Sequence, residues 1–398
     1  MKKRKLLTVF IITALSLLIS GCPPPAVKKY PLQKLKPSKY PEFTDDLSYS
    51  GLAQSITQSL SYLRRVSPGK KFEFGGDTFE AAHIIRSLEH FLNFIQKNPS
   101  QRALNKFIKS YYLVYKSIGR DDKGEVLFTG YFEPLLYGSL QRSDVYRFPV
   151  YGPPADMSVV DLSLFSSKLK GKKIIGRVEG KTFVPYHNRR EIEEKWILEG
   201  KAEPLAWVKD RVALFFLHIQ GSGRIALDTG ETINVHYNTK NGRPYRSIGQ
   251  LLIDERKITT AEMSMQKICE YLRIHPEEIG KVLNHNPSYI FFSIEEDGPF
   301  GAISVKLTPR RSIAVDRRIF PLSALSYIET QKPIVDKAGN IREWTDSTRF
   351  VLNQDTGGAI KGPGRADVFW GHGKYAEIAA GHMKHKGQVY VLVLKPDV

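Results

Sequence analysis

The stretch Asp355-Thr-Gly-Gly-Ala-Ile-Lys-Gly-Pro-Gly-Arg-Ala-Asp367-Val-Phe-Trp-Gly371 frames two aspartates around a turn that is dense in glycine. Its glycines permit positive φ angles and let a polymeric ligand approach the backbone, while Phe369 and Trp370 offer flat apolar faces on which a sugar ring can stack. A plain connection between two strands is the alternative interpretation, because Gly and Asp are ordinary turn residues. The first interpretation predicts an active-site loop.

Short runs that suit β-strands lie on both sides of this loop. They cover residues 125–137, 173–178, 212–219, 288–294, 312–315, 349–353 and 389–394. Many short strands joined by glycine-rich turns favour a barrel or a sandwich over a doubly wound sheet. The sequence therefore predicts a mainly β fold.

Helices are predicted before most of these strands. Apolar residues recur at helical spacing over residues 52–63, and Asp77 with Glu80 three positions later has the arrangement of a capping box that opens a second helix. A third helix is predicted over residues 102–116. The first third of the chain thus differs in character from the rest.

The first 22 residues have the layout of an export signal. A basic start, an apolar run over residues 6–19 and Ser20-Gly21-Cys22 match the processing box of lipoproteins, in which the cysteine is acylated. An ordinary cleaved signal is the alternative. The prediction is a membrane-attached, exported protein whose lipidated N-terminus is Cys22. Because Pro23 rather than Asp follows it, the predicted location in a cell with two membranes is the outer membrane, facing the periplasm.

The composition sets further bounds. The formal net charge is +18, and removing the four basic residues of the signal leaves +14, so the protein should seek anionic surfaces. We expect no nucleic-acid partner, because the chain has no nucleic-acid module and the predicted compartment is wrong for one. Cys269 is the only other cysteine. With no partner for an internal disulfide, the mature protein must be held by its core, which we expect to divide into two domains.

Four acidic residues follow or interrupt apolar strands, namely Glu133, Asp316, Asp355 and Asp367. A carboxyl group at the end of a strand can be partly buried, which raises its pKa and makes it a useful proton donor near neutral pH. The structural alternative for each is that it caps a turn or pairs with a neighbouring arginine. From the residues alone, Asp367 does not rank above Asp355.

Other chemistries have little support. The serine-hydrolase elbow is missing, since Gln220-Gly221-Ser222-Gly223 lacks its pattern. His382 and His385 lack the glutamate of a zinc-protease helix, and neither a phosphate-binding nor a dinucleotide-binding glycine motif occurs. The sequence predicts no metal and no cofactor.

Two polar stretches place small residues and neutral hydrogen-bonding groups beside aromatic residues. They cover residues 215–224 and 241–249. Sugar hydroxyls call for amide and hydroxyl partners, and the C–H faces of a sugar call for aromatic rings. Tight turns in a β domain are the alternative for each stretch.

Taken in order, seven motifs resemble the membrane-bound lytic murein transglycosylase A family, with its C-terminal three-aspartate domain. The motifs are Gly130 to Pro134, Leu214 to Arg224, Asn241 to Gly249, Met263 to Gln266, Asn286 to Tyr289, Ala314 to Asp316 and Asp355 to Gly371. Between residues 235 and 240 the sequence departs from the family's usual turn, so the resemblance carries no glycan contact there.

The resemblance implies a double-psi β-barrel with N-terminal helices and an inserted second β domain, with glycan strands of peptidoglycan bound in the groove between them. The implied organisation is a signal at residues 1–21, a Pro/Lys-rich tether at 22–44, the barrel domain at 45–141 and 286–398, and the insert at 142–285. Cell-wall synthesis or division complexes are the implied partners besides peptidoglycan and the membrane.

The resemblance also implies the activity, which is that of an exolytic transglycosylase. Such an enzyme cuts the glycan strand between N-acetylmuramic acid and N-acetylglucosamine and leaves 1,6-anhydro ends. It maps the catalytic aspartate onto Asp367, with Asp355 as its neighbour and Asp316 as a residue that holds the loops. The implied substrate-binding residues are Tyr131, Glu133, Gln220, Gly221, Ser222, Gly223, Tyr245, Arg246, Ser247, Gly357, Gly358, Ala359, Lys361 and Trp370. Two alternatives stay open: a hydrolase with Glu133 or Asp355 as a second carboxylate, and a wall-binding lipoprotein without catalysis.

Overall fold

Strands dominate the computed structural model, which describes residues 30–398 of the chain. The strands are β1 Leu32–Lys34, β2 Lys71–Phe74, β3 Asp77–Glu80, β4 Tyr112–Ser117, β5 Val126–Glu133, β6 Leu135–Ser139, β7 Phe148–Tyr151, β8 Ser158–Asp161, β9 Lys173–Glu179, β10 Thr182–Pro185, β11 Pro204–Val208, β12 Ser222–Leu227, β13 Thr232–Lys240, β14 Ile290–Glu295, β15 Ser312–Ala314, β16 Leu325–Val335, β17 Ile341–Asp355, β18 Arg365–His372 and β19 Lys384–Leu394.

Shorter helical segments connect and cover these strands. The α-helices are α1 Leu52–Leu63, α2 Ala81–Ile95, α3 Gln101–Tyr111, α4 Arg189–Lys195, α5 Arg211–Gln220, α6 Ile248–Asp254, α7 Met265–Ile274, α8 Ile279–Asn284 and α9 Lys374–His382. In the described part of the chain, no helix has the length and apolar character that a membrane span requires.

Six strands close into a β-barrel. Their order is β5, β19, β16, β17, β15 and β18, and the pairing of β18 with β5 completes the ring. Strands β1 and β4 extend the sheet outward from β19. Closure leaves no unpaired edge within the ring, so its strands are held at fixed register. The prediction of a mainly β fold with a barrel is confirmed.

A second sheet of six strands has the order β14, β13, β12, β6, β11 and β7. Its apolar face packs around Leu136, Val150 and Ile225, and α5 covers it through Leu214 and Leu217. Between β5 of the barrel and β6 of this sheet stands a single residue, Pro134. The remaining strands form a hairpin of β2 with β3 and a small sheet of β8, β9 and β10.

The N-terminal helices pack on the barrel as their sequence requires. The buried residues of α1 recur every three or four positions, from Leu52 through Ile56 and Leu60 to Leu63. Together with the apolar face of α2 they join the interior of the barrel in one continuous core. The helix predicted over residues 52–63 is confirmed.

A buried ion pair ties the start of this region to the barrel. Asp45 accepts two hydrogen bonds from the guanidinium of Arg311, at 2.7 and 2.8 Å, and neither side chain has appreciable exposure. Arg311 also donates to the carbonyl oxygens of Ser50 and Phe350, so its charge and most of its donors are satisfied.

The tether predicted at residues 22–44 is wrong over its second half. Strand β1 pairs with β4, and Leu32 and Phe43 are each 1% exposed. From Pro31 onward the chain belongs to one compact unit that extends to Val398. The predicted signal peptide and Cys22 lie outside the described residues.

Three local predictions also need correction. Asp77 and Glu80 lie on strand β3 and do not form a capping box. This strand belongs to a hairpin in which the rings of Phe74 and Phe79 pack against each other. The third helix ends at Tyr111, and the chain continues directly as β4. The predicted strand at 212–219 is helix α5, in which the Asp210 carboxylate caps the first turn and Gly221 ends the last with φ 81°.

Candidate active site

The short strand β15 brings the predicted aspartates together. It runs parallel to β17 on one side and antiparallel to β18 on the other, and its Ala314 is paired with Asp355 and with Asp367. Since neighbouring strands lie about 4.8 Å apart, the two aspartate backbones are separated by roughly 10 Å, with strand β15 between them at Ala314. Asp316 follows two residues after Ala314, and all three aspartates line one cavity of about 1600 Å³.

Asp367 is held through one of its two carboxyl oxygens. Oδ1 accepts a short hydrogen bond from the Thr129 hydroxyl and lies 3.4 Å from Nε of Arg365. Arg365 in turn donates from Nη2 to Thr129 at 3.2 Å. Among the described hydrogen bonds none involves Oδ2. The carboxyl group is thus oriented by its barrel neighbours while one oxygen is left for a ligand.

Asp355 has an environment of its own. Its Oδ1 accepts from the backbone N–H groups of Thr356, at 2.8 Å, and Ala302, at 3.0 Å. Although the residue keeps partial exposure in the cavity, the surrounding protein removes most of the water from its carboxyl group. This desolvation, with a smaller contribution from the charge of Asp367, raises the pKa of Asp355 to about 6.

Tyr131 stands beside both acids at the inner end of the cavity. Burial, with the nearby charges of Asp355 and Asp367, raises the pKa of its hydroxyl well above the ordinary value. The hydroxyl therefore remains a proton-bearing donor at any physiological pH.

Asp316 has a structural setting. Its carboxylate accepts three hydrogen bonds from Arg318 and one of 2.8 Å from the backbone N–H of Gly362. The arginine contacts hold the pKa of Asp316 well below its usual range. The permanently charged carboxylate fixes the glycine-rich loop at Gly362, which has φ 80°.

The glycine-rich loop faces the cavity as predicted, through Gly357, Gly358, Ala359 and Lys361. The two aromatic residues that follow the loop, Phe369 and Trp370, do not face the cavity. Phe369 and Trp370 are 1% and 4% exposed, and the indole ring lies so close to Gly130 that a Cβ there would be 2.7 Å from it. The predicted sugar-stacking role of these two rings is wrong. Trp370 points into the core with Ala366 and Val368, the alternate residues of β18, and Phe369 on the other face is covered by the ring of Tyr131.

Another part of the cavity lining, which we call the facing wall, comes from the two polar stretches. Gln220, Gly221, Ser222 and Tyr245 line the cavity, and the Gln220 side chain accepts a hydrogen bond from the backbone of Phe132. These groups are neutral and lie where α5 ends and where the chain approaches α6.

Other predicted site residues lie outside the cavity lining. The side chain of Glu133 is 1% exposed and forms an ion pair with Arg224 at 2.8 Å. The Ser247 hydroxyl caps α6, the backbone of Arg246 donates to Asn286, and Gly223 packs against Leu217. Each of them supports a neighbour of the cavity.

Sequence reasoning missed several lining residues, among them His236, Tyr237 and Lys240 of β13. The ring of Tyr237 is half-exposed, as is that of Tyr245, so these two tyrosines offer the aromatic faces that Trp370 does not. Apolar and polar residues alternate over part of β13, a pattern that indicates a strand, but the strands predicted from the sequence did not include this segment.

In the described part of the chain, one group of side chains could hold a metal ion, formed by His275, Glu277 and Glu278. None of the three lines the cavity. His382 and His385 do not converge, since the first bonds the carbonyl oxygen of Ile378 and the second stacks on Trp344.

Known protein families and individual proteins match this chain in sequence. Family models described as the MltA specific insert domain and the 3D domain match residues 127–293 and 311–393. A membrane-bound lytic murein transglycosylase A from Escherichia coli (strain K12) is 32% identical over 281 residues, which cover 70% of this chain and 68% of that protein.

Solved structures agree in fold. A membrane-bound lytic murein transglycosylase from Agrobacterium tumefaciens gives a TM-score of 0.74 at 27% identity, covering 92% of this chain and 98% of its own. The Escherichia coli MltA structure with bound chitohexaose gives a TM-score of 0.70 at 24% identity, covering 92% of this chain and 95% of its own. The second likeness concerns the fold alone.

Proposed function

The chain belongs to the membrane-bound lytic murein transglycosylase A family, and on that premise we propose that it cleaves the glycan strands of peptidoglycan. The bond cut is the β-1,4 link from N-acetylmuramic acid to N-acetylglucosamine. Cleavage proceeds without water and leaves a 1,6-anhydro ring on the muramic residue. The relatives' names support the substrate and the class of reaction.

The observation that carries the proposal is the pairing of Ala314 with both Asp355 and Asp367 on one wall of a long cavity. The cavity, at about 1600 Å³, exceeds the roughly 300–1,000 Å³ typical of small-molecule sites. Such a space suits several sugar rings in a row. The two half-exposed tyrosines and the amide of Gln220 on the facing wall are the groups that sugar faces and hydroxyls require.

Asp367 is the proposed acid and base. In its protonated form, Oδ2 donates a proton to the glycosidic oxygen as the bond to C1 of the muramic residue breaks and the N-acetylglucosamine hydroxyl leaves. The carboxylate then takes the proton of the C6 hydroxyl, whose oxygen closes onto C1. A glycan that fills the cavity excludes bulk water from the reacting groups.

One carboxyl group suffices for this reaction because the nucleophile belongs to the substrate. An aligned intramolecular hydroxyl has an effective molarity of about 10⁵–10⁸ M, so no activated water is needed. A hydrolase would need two carboxyl groups about 5–9.5 Å apart. The ion pair of Glu133 with Arg224 and its place outside the lining speak against Glu133 as a second one, which leaves Asp355 as the remaining candidate.

Asp355 is the proposed partner of Asp367. When ionised, its negative charge on the far side of Ala314 favours the proton on Asp367, and the Tyr131 hydroxyl lies near both groups. Asp316 is proposed to fix the glycine-rich loop rather than to take part in proton transfer.

The organisation implied by the sequence is proposed with one change. Because β6 and β14 belong to the second sheet, the inserted domain is best taken as residues 135–295 rather than 142–285. The double-psi topology, the glycan groove between the two domains and the lipid anchor at Cys22 on the outer membrane complete the proposal. Cell-wall synthesis or division complexes are the proposed partners.

Mass spectrometry of released muropeptides tests the function. Protein that begins at Pro23 keeps every described element and should release products from purified sacculi that are 18 Da lighter than hydrolytic ones, because no water is added. Products with reducing ends would assign a hydrolase that uses Asp355 as its second carboxylate. No release at all would favour a wall-binding lipoprotein.

A further inference from the structure

Two large apolar side chains protrude where β8 ends. Leu164 is 84% exposed and Phe165 is 76% exposed, the two highest values among the exposed large apolar residues of the described chain. They belong to the loop that connects β8 to β9, residues 162–172, which we call the β8–β9 tip. Side chains of this kind are normally buried, so their exposure on an ordered segment calls for a ligand.

The β8–β9 tip is a hydrogen-bonded structure. The Asp161 carboxylate caps a 3-10 turn by accepting from the backbone and hydroxyl of Ser163. The Ser166 hydroxyl caps a second 3-10 turn by accepting from the backbone of Lys168. Both turns are closed, yet Leu164 and Phe165 remain outside the four hydrophobic clusters found among residues 30–398.

Further exposed apolar side chains lie on the small sheet next to the tip. Val159 of β8 is 53% exposed, and on β9 Ile174 and Val178 are 44% and 63% exposed. Ile174 and Val178 share one face of β9, whereas Val159 is paired with Ile175 and lies on the other face. Leu164 and Phe165 are thus the most exposed members of a segment that is rich in exposed apolar residues.

Basic side chains surround this region. Residues 158–185 contain six basic residues and two acidic ones, which gives a net charge of +4. Lys168, Lys170 and Lys172 are exposed and make none of the ion pairs found among the described residues. Lys173 has a distant one with Asp161, at 3.9 Å. Exposed apolar side chains with unpaired ammonium groups in the same loop match a surface that is apolar inside and anionic outside.

We propose that the β8–β9 tip docks on an anionic lipid bilayer, with Leu164 and Phe165 inserted at the boundary between headgroups and acyl chains and the lysines placed against lipid phosphates. Protruding apolar residues flanked by lysines are the usual elements of interfacial membrane binding. A protein partner would call for a groove or a flat face with hydrogen-bonding groups, and neither belongs to the tip.

This contact would orient the cavity. Gly171, within the β8–β9 tip, also lines the cavity that holds the three aspartates. Docking the tip therefore brings the rim of that cavity next to the bilayer, so the enzyme would act on the material closest to the membrane. The docking itself concerns a surface outside the three aspartates and is independent of the proposed reaction, whereas its consequence for the material that is cleaved rests on the proposed function.

Vesicle co-sedimentation tests the proposal with protein that begins at Pro23, so that no lipid anchor contributes. Vesicles of phosphatidylethanolamine and phosphatidylglycerol at 3:1 are compared with vesicles of phosphatidylcholine alone. The test variants are Leu164→Ser/Phe165→Ser and Lys168→Gln/Lys170→Gln/Lys172→Gln. The matched control is Leu140→Ser/Ile334→Ser, which changes two exposed apolar residues outside the segment, and circular dichroism checks that each variant is folded.

The expected result is binding to the anionic vesicles that weakens by about ten-fold or more in the serine variant, since two apolar side chains no longer insert. The lysine variant should lose preference for anionic over neutral vesicles, and the control should bind like the unchanged protein. Equal binding by the serine variant and the control would overturn the proposal. So would a serine variant that loses binding to sacculi but keeps binding to vesicles, because the tip would then contact the wall.

Discussion

The two walls of the cavity differ in the side chains that they present and in the secondary structure that positions those side chains. The barrel wall presents acids, and Asp355 and Asp367 owe their places to the register of β15 within a closed ring. The facing wall presents neutral groups, Gln220, Tyr237 and Tyr245, which lie at the end of a helix, on a strand beside an irregularity, and in a loop. If the proposed function holds, the difference teaches that proton transfer is placed on a frame fixed by strand register, whereas sugar recognition is placed on a more open one.

Replacing Asp367 with Asn should cause the largest loss of activity of any change to the barrel wall. Without the proton donor, the rate of muropeptide release should fall by roughly a thousand-fold, within the 10²–10⁴ range of general acid catalysis, while binding to sacculi persists. Tyr245→Ala on the facing wall is the matched comparison, and it should raise the sacculus concentration needed for half-maximal rate. Near-normal release by Asp367→Asn would remove this residue from the mechanism.

Asp45→Ala should lower the stability of the barrel more than any change to the facing wall. It leaves the Arg311 guanidinium buried without its ion-pair partner, and such a change destabilises by about 3–5 kcal/mol. The midpoint of urea unfolding measures the effect, with the exposed Asp346→Ala as control. Equal midpoints for the two variants would show that the pair is dispensable.

Asp355→Asn should change how stability depends on pH. The folded-state pKa of Asp355, raised to about 6 from 3.8, means that the folded protein binds this proton more tightly than the unfolded chain does. Stability is therefore lost as pH rises from about 4 to 6, and the variant avoids that loss. The difference in free energy of unfolding between the variant and the unchanged protein should therefore shift in favour of the variant, by on the order of 2 kcal/mol between pH 4 and pH 7.5.

Urea unfolding at both pH values gives this difference, with Asp346→Asn as the control for an exposed carboxylate. A difference that stays constant with pH would mean that Asp355 titrates as an ordinary aspartate. In that case burial in the folded protein does not disfavour the charge of Asp355.

Ser247→Ala gives the smallest expected effect and decides between two roles on the facing wall. Loss of the α6 cap should lower stability by about 1 kcal/mol, because the hydroxyl accepts from the backbone of Gln250 at 3.1 Å. Muropeptide release at limiting sacculi should be unchanged. A several-fold fall in that rate would restore the contact with glycan that the sequence resemblance implied.

Much of the barrel wall could be predicted from the sequence, because Asp316, Asp355 and Asp367 each stand beside an apolar run and a turn. The register that brings them together could not, since β15 has three residues and pairs with segments 40 or more positions away. Trp370 was misjudged because its neighbours suggested a loop, whereas alternation within β18 turns it into the core.

The helix at 211–220 was mistaken for a strand for a related reason. Its Val, Phe and Ile content is typical of strands, and periodicity cannot separate a buried helix from a buried strand over so short a run. The better signals were Asp210 before it and Gly221 after it, the residues that cap its two ends. Helix α1, with a clear apolar stripe, posed no such difficulty.

Pro134 has a mechanical consequence. It is the only residue between β5 of the barrel and β6 of the second sheet, its φ is locked by its ring, and its carbonyl oxygen accepts a hydrogen bond from the backbone N–H of Arg224 at 2.8 Å. If the cavity binds a glycan strand as proposed, tension in that strand would act on this connection with no slack chain to absorb the extension. The other connection between the two sheets, from β14 to β15, is longer.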